Sequence, residues 1–186
     1  MNKLTQKSYF CKKKMIPDIT KAHKILDAAR ADQKLDRIAY QILENHHLEA
    51  ELFLIGIQPG GTQMAAMLAT KIMSVSNKQV HLYDLFIDKP QPSTATTVLS
   101  GPDISLTGKP VVIVDDVGNT GRTLFYALYP LYEQMPKSIH IAVLVDRMHK
   151  TYPIKADFVG FPLATTINEH VIVQFEHGKV EGAYLF

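Results

Sequence analysis

The chain has 186 residues, 46% of them apolar and 20% charged, with one cysteine and no tryptophan. That suits one well-cored globular domain and excludes a disordered or collagen-like chain. The net charge of +2 hides an asymmetry, because residues 1–14 carry five lysines and no acid, leaving 15 basic against 18 acidic residues in the rest.

The basic excess behind a sequence pI near 8.5 therefore sits in an arm at residues 1–16, read as a solvated tail, ahead of a single domain at 17–186. This weakens a case for nucleic-acid binding built on pI alone. No apolar run approaches the ~20 residues needed to span a bilayer, and the start lacks the continuous apolar stretch of a secretory signal. A cytoplasmic protein with no membrane partner is expected. Cys11 has no second cysteine to pair with and is read as an idle thiol.

Residues 20–44 read as a helix, with Leu35, Ile38, Ala39 and Ile42 at three- and four-residue spacing and Ile25, Leu26 and Ala29 upstream. LFLIGI, residues 52–57, is a continuous apolar run of the kind covered on both faces in a parallel sheet. It ends in Gln58, Pro59, Gly60 and Gly61, after which Met64, Met67, Leu68 and Ile72 mark a second amphipathic helix. A strand is expected at 80–87. Residues 88–108, rich in Pro, Ser and Thr, read as a long connection of the kind that forms lids and binding loops. VVIV, residues 111–114, is a buried strand followed by a DDVGNTG turn and a helical stripe of Leu124, Ala127, Leu128, Leu131 and Met135, which Pro130 should kink. IHIAVLV, residues 139–145, is another buried strand, and from Ala156 onward the chain reads as short strands and loops.

Strands alternating with helices predict an α/β fold with right-handed crossovers and a mainly parallel central sheet flanked by helices. Ligands in such sheets bind at the carboxyl ends of strands, which nominates residues 58–61, 115–123 and the segment after Val145. Asp115 and Asp116 end an apolar strand, where adjacent carboxylates are costly unless a cation or hydroxyl donors answer them. Ribose hydroxyls or Mg²⁺ would do so. Val117, Gly118, Asn119, Thr120, Gly121, Arg122 and Thr123 follow, bringing a flexible turn, two hydroxyls and the amides of a helix start together as a phosphate cradle. Neither the G-x-x-x-x-G-K-[ST] string nor G-x-G-x-x-G is present, so the Walker and dinucleotide readings fail. An ordinary capped turn would explain one or two of these residues but not the string.

VVIVDDVGNTGRT resembles the signature of type I phosphoribosyltransferases: an apolar strand, two acids, a short variable stretch and T-G-x-T. RIAYQILE, LFLIGIQPGG, AVLVDRMHKTYPIKADFVGF and VIVQFEHGKVEGAYLF extend the likeness over residues 25–186 to the pyrimidine-operon attenuator proteins, which double as uracil phosphoribosyltransferases. The resemblance implies their fold, with a small hood built from C-terminal and also N-terminal segments, and transfer of the phosphoribosyl group of phosphoribosyl pyrophosphate (PRPP) to a nucleobase, uracil first. It implies Mg²⁺ as cofactor with Asp115 and Asp116 toward the metal and the ribose, residues 115–123 as the PRPP-binding stretch with the backbone from Asn119 to Thr123 on the 5′-phosphate, and Gln58, Pro59, Gly60 and Gly61 as pyrophosphate loop. Arg147 would lie near the base's exocyclic oxygen, and residues 157–161, with Phe158, Val159 and Phe161, would form a hood over the base. A homo-oligomer, dimer or larger, is implied too.

Three departures stand out. Pro-Gly-Gly replaces the usual Thr-Arg-Gly of the pyrophosphate loop, and only Asp88 and Lys89 remain of the lid's Arg-Asp-Asp cluster. Asn119 stands where purine-salvage members usually carry Asp, which argues against a purine. A second reading follows: a nucleotide-sensing regulator that binds RNA, with Arg147, Lys150 and Lys155 among its few basic residues. His46, His47, His140, His149, His170 and His177 show no metal-ligand spacing; His46 and His47 are expected at the surface, and Met64 and Met67 in the core.

Overall fold

A computed structural model of the chain describes residues 22–89, 97–103, 105–166 and 168–186. The arm at 1–16 and lid positions 90–96 lie outside them.

Six strands form the main sheet in the order β4-β3-β2-β5-β6-β7, comprising β2 (Glu51–Ile57), β3 (Gln79–Phe86), β4 (Val98–Ser100), β5 (Pro110–Gly118), β6 (Ser138–Arg147) and β7 (Phe158–Leu163). All neighbours pair in parallel except edge strand β4, which runs antiparallel to β3. The expected α/β class and mainly parallel sheet are therefore present. β2 and β5 lie side by side at the centre and are apolar on both faces, because helices or loops cover each side.

Helix α1 (Ala28–Asn45) starts where the Asp27 carboxylate accepts a hydrogen bond from the Arg30 amide at 2.8 Å. It buries Ala31, Leu35, Ile38, Ala39 and Ile42, one stripe at helical spacing. Helix α2 (Gly60–Val75) buries Met64, Ala65, Leu68, Ala69 and Ile72 on the same side of the sheet. Lys71 ties the two helices together by reaching Asp32 and Asp36, each at 2.7 Å.

A second sheet, in the order β1-β9-β8, is antiparallel throughout and packs its apolar face on α1. It contains β1 (His23–Asp27), β8 (Val171–Glu176) and β9 (Lys179–Leu185). The β8–β9 turn places His177 and Gly178 at φ of 48° and 74°, a two-residue hairpin whose twist suits its strands. This small sheet is the hood expected from the C-terminal and N-terminal segments.

Four boundaries differ from the sequence reading. The helix expected over 20–44 begins only at Ala28, since residues 23–27 pair with β9 and Asp27 caps the helix behind them. Part of the connection at 88–108 is strand, pairing Val98 to Ser100 with Phe86 to Asp84. The DDVG segment continues β5, because its register with β6 runs on from Asp115↔Val143 to Gly118↔Asp146. The stripe after it breaks at Leu128 into α3 (Arg122–Ala127) and α4 (Tyr129–Tyr132), as a proline at 130 requires.

His46 corrects another expectation: it caps the end of α1 at 4% exposure, edge-on to the His140 ring at 4.9 Å, while His47 is exposed. Met64 is fully buried and Met67 packs on the same core, as expected. Burial, then His140, holds the His46 pKa below its ordinary 6.5; Lys78 and Lys137 act the same way and Glu49 opposes them. The unfolded chain therefore takes up this proton first as pH falls through about 6.5, and the contribution of neutral His46 to stability is lost on acidification. The melting temperature should fall between about pH 7.5 and about pH 5, and His46→Phe should flatten that slope when melting is followed by circular dichroism.

Candidate active site

Central parallel strands β2 and β5 deliver their carboxyl-terminal loops to the same edge of the sheet, where β6 and β7 also end. Asp115 is 2% exposed, and its Oδ1 accepts from the Asp116 amide at 3.1 Å. Asp116 is half-buried, with Oδ1 accepting from the Val117 amide at 3.0 Å. Burial, and then the charge of Asp116, push the Asp115 carboxyl well above the usual carboxylate range. Lys89, with Nζ 3.5 Å from Asp115 Oδ1, pulls the other way. An acid held this way gains from a cation or from hydroxyl donors.

The glycine turn packs directly against this pair. A Cβ on Gly61 would stand 2.2 Å from the Val114 carbonyl oxygen, and one on Gly60 would stand 2.5 Å from the Asp116 carboxyl. Only glycine lets α2 start this close to β5. The Gln58–Pro59 bond is cis, and among the described residues no side chain caps the start of α2. Behind the turn, Thr62 donates to Asp84 at 2.7 Å and so joins α2 to β3.

Across the acids, the β5–α3 loop turns at Gly121, whose φ of 84° favours glycine. The Gly118 and Asn119 carbonyls accept from Lys150 Nζ, each at 3.0 Å, and the Thr120 carbonyl accepts from the Thr151 and Tyr152 amides at 3.0 and 3.1 Å. Among the described residues, the Thr120 and Gly121 amides have no acceptor. Val117 is half-buried in the strand, Asn119 and Arg122 are exposed, and Thr123 lies in the first turn of α3.

Arg147, nominated for the base, is 3% exposed and extends from the end of β6. Its guanidinium donates to Asn119 Oδ1 at 2.7 Å, Thr165 Oγ1 at 2.8 Å and the Thr166 carbonyl at 2.8 Å, joining the β5 loop to the segment after β7. Phe161, opposite Val145, lies toward the ligand end and packs partly on the core. Val159 is half-buried two positions earlier. Phe158 does not join the site: it is 5% exposed, pairs with Ala142 deeper in the sheet and lies 5.8 Å from the His140 ring. Asp157 accepts from the Ile141 amide at 2.8 Å, and Asp88 is half-buried beside Lys89.

The structure thus gathers residues 58–61, Lys89, Asp115, Asp116 and the 118–123 loop around one sheet edge. Sequence reading missed the cooperation of Asp146 and Lys150 with that loop, and that of Thr165 with Arg147. The spacing of Asp146 and Lys150 after a buried strand is visible in the sequence, but nothing local there says that they hold a different loop. Among the described residues no three His, Cys, Asp or Glu side chains cluster as a metal cage. Two hard carboxylates do fit Mg²⁺ held partly by substrate oxygens.

Comparison with known proteins shows the family of the chain. The model of the phosphoribosyl transferase domain matches residues 21–178. A protein of Geobacter sp. (strain M21) named bifunctional protein PyrR is 37% identical over 159 residues, covering 82% of this chain and 90% of that protein. One of the same name from Brevibacillus brevis is 39% identical over 158 residues, covering 81% and 88%. A hypoxanthine phosphoribosyltransferase from Trypanosoma cruzi superposes with a TM-score of 0.72 at 20% identity, covering 88% of this chain and 91% of that one, a likeness of fold.

The close approach of α2 to β5 makes a paired test. Gly61→Ala forces backbone apart and should cost about 1–3 kcal/mol, read as a lower midpoint in chemical denaturation. Gly60→Ala meets a side-chain carboxyl instead and should be milder in the same assay, with Asp116 displaced. The chain belongs to the phosphoribosyl transferase domain family.

Proposed function

We propose that the chain transfers the phosphoribosyl group of PRPP to uracil, giving UMP and pyrophosphate. The observation that carries this reading is the acid pair of buried Asp115 and half-buried Asp116 between two loops that offer backbone amides, residues 58–61 and 118–123. Acids between two amide-rich turns suit a ribose carrying a phosphate at one end and a pyrophosphate at the other. Uracil is favoured by the resemblance to the attenuator proteins and by relatives such as one from Lactococcus lactis named pyrimidine operon regulatory protein, 35% identical over 159 residues.

In the proposed reaction the base nitrogen attacks the anomeric carbon as the bond to pyrophosphate breaks, and positive charge develops on the ribose ring. Asp115 and Asp116 hold the ribose hydroxyls and place negative charge beside that ring. The amides of the 118–123 loop fix the 5′-phosphate, and the glycine turn lets the backbone approach the leaving group. Mg²⁺, held through Asp115 and Asp116 with substrate oxygens, would offset charge on the pyrophosphate. Lys89 reaches Asp115 from the lid side, in a place where a positive charge would also meet that leaving group. Arg147 acts on the base side through Asn119 and the 165–166 segment, and of the three apolar candidates Phe161 lies furthest toward the carboxyl end of β7.

Pyrophosphate release from PRPP and Mg²⁺ against uracil, orotate, hypoxanthine, guanine and adenine tests the assignment. Uracil alone should support release. Asp115→Asn should lower the rate by about 100-fold or more while the melting temperature holds or rises, because a buried carboxyl of raised pKa is replaced by a neutral isostere. Release with a purine in place of uracil would overturn the choice of base, and full activity in the variant would overturn the site.

A second reading is favoured by the regulatory names of the relatives and by the pyrophosphate turn, which carries Pro59 and Gly60 where a cation is usual. In it the pocket senses nucleotide and the protein binds RNA. Steep salt dependence of binding to a leader transcript would support it, and a slope near zero would remove it.

A further inference from the structure

We propose that Lys150, held in place by Asp146, is a positioning residue that sets the orientation of the phosphate-binding amides, an inference that rests on reading the 118–123 loop as a phosphate cradle. Lys150 Nζ bonds the Asp146 carboxylate and the carbonyls of Gly118 and Asn119, the latter two at 3.0 Å each. The three acceptors match its three N–H donors. The lysine and aspartate side chains are 20% and 15% exposed, so the pair is shielded from solvent without being sealed away.

Peptide planarity turns this anchorage into an orientation. A carbonyl and the N–H of the next residue belong to one plane and point in opposite directions. Fixing the Asn119 carbonyl on Lys150 therefore aims the Thr120 amide away from Lys150. Fixing the Thr120 carbonyl on the Thr151 and Tyr152 amides does the same for Gly121. Those two amides, without an acceptor among the described residues, are turned toward the side of the loop that faces away from the 146–152 segment. A second cation grips the loop in another way, since Arg147 holds the Asn119 side chain rather than its backbone.

The aspartate is placed by the fold. Asp146 pairs in register with Gly118, and a Cβ at 118 would stand 2.5 Å from its Oδ1 and 3.2 Å from Lys150 Nζ. Glycine at 118 thus keeps room for the carboxylate and ammonium to lie against the loop backbone. Without Asp146 the ammonium would contact only carbonyl dipoles. With it, the charge is balanced, and the lysine need not turn toward the substrate phosphate.

The prediction is a split between affinity and turnover. In Lys150→Met the KM for PRPP should rise about tenfold or more, while kcat with uracil stays within about threefold of the parent. Lys150→Arg, which keeps charge and donors, should recover most of the affinity. Asp146→Asn provides a second variant should the methionine protein fold poorly, and should raise the KM for PRPP in the same direction. PRPP binding to each protein is measured by calorimetry beside the assay. Unchanged PRPP affinity in both Lys150→Met and Asp146→Asn would overturn the clamp, as would an equal loss in Lys150→Arg and Lys150→Met. Absence of PRPP binding and of pyrophosphate release in the parent protein would instead overturn the functional reading and the clamp with it.

Discussion

A carboxylate at the end of a hydrophobic strand is the constraint around which the rest of this molecule is arranged. Asp115 sits at 2% exposure on β5, beside a second acid, where burial works against ionisation. The surroundings reduce that cost without removing it: a backbone amide at 3.1 Å and the Lys89 ammonium at 3.5 Å. A group kept in such partial balance is predisposed to receive a polar, hydroxylated or cationic partner. The neighbouring elements are shaped by the same need, since α2 approaches through two glycines and the β5–α3 loop keeps its carbonyls turned onto the 146–152 segment.

Much of this was legible in the sequence because it is written in local residue types. LFLIGI, VVIV and IHIAVLV have the continuous apolar character of strands covered on both faces, and each became a central strand of the sheet. The acids followed by V-G-N-T-G-R-T nominated one edge of the sheet as the candidate site. What could not be read locally depended on long-range pairing. Residues 23–27 carry a pattern compatible with helix, and only β9, more than 150 residues later, selects strand. The family resemblance implied Phe158 as a hood residue, but its register opposite Ala142 sends it into the core. His46 is polar and lies at a helix end, which suggests exposure. Packing against His140 buries it. In the same way, Arg147 was visible as a cation after a strand, while its engagement with Asn119, Thr165 and Thr166 depends on how two loops meet.

The two sheets divide the work. The parallel sheet fixes the acids and both amide-bearing loops to adjacent strands, so their spacing inherits the regularity of the β2–β5–β6 ladder. The antiparallel sheet touches that framework through α1, whose buried stripe contributes to a core that also includes Val173, Val180 and Ala183. Arg37 on α1 adds a polar tie, donating to the Val159 and Gly160 carbonyls at 2.7 and 2.6 Å and so covering part of edge strand β7.

The strand order of the hood also bears on the timing of assembly. β9 lies between β1 and β8, so β1 has no neighbour in its own sheet until the final described strand has been synthesised. The parallel sheet, by contrast, has all its strands by Leu163. On a ribosome the main-sheet framework can therefore gather first, with β1 waiting as an unpaired strand ahead of α1. The small sheet closes last, when the two ends of the described chain meet.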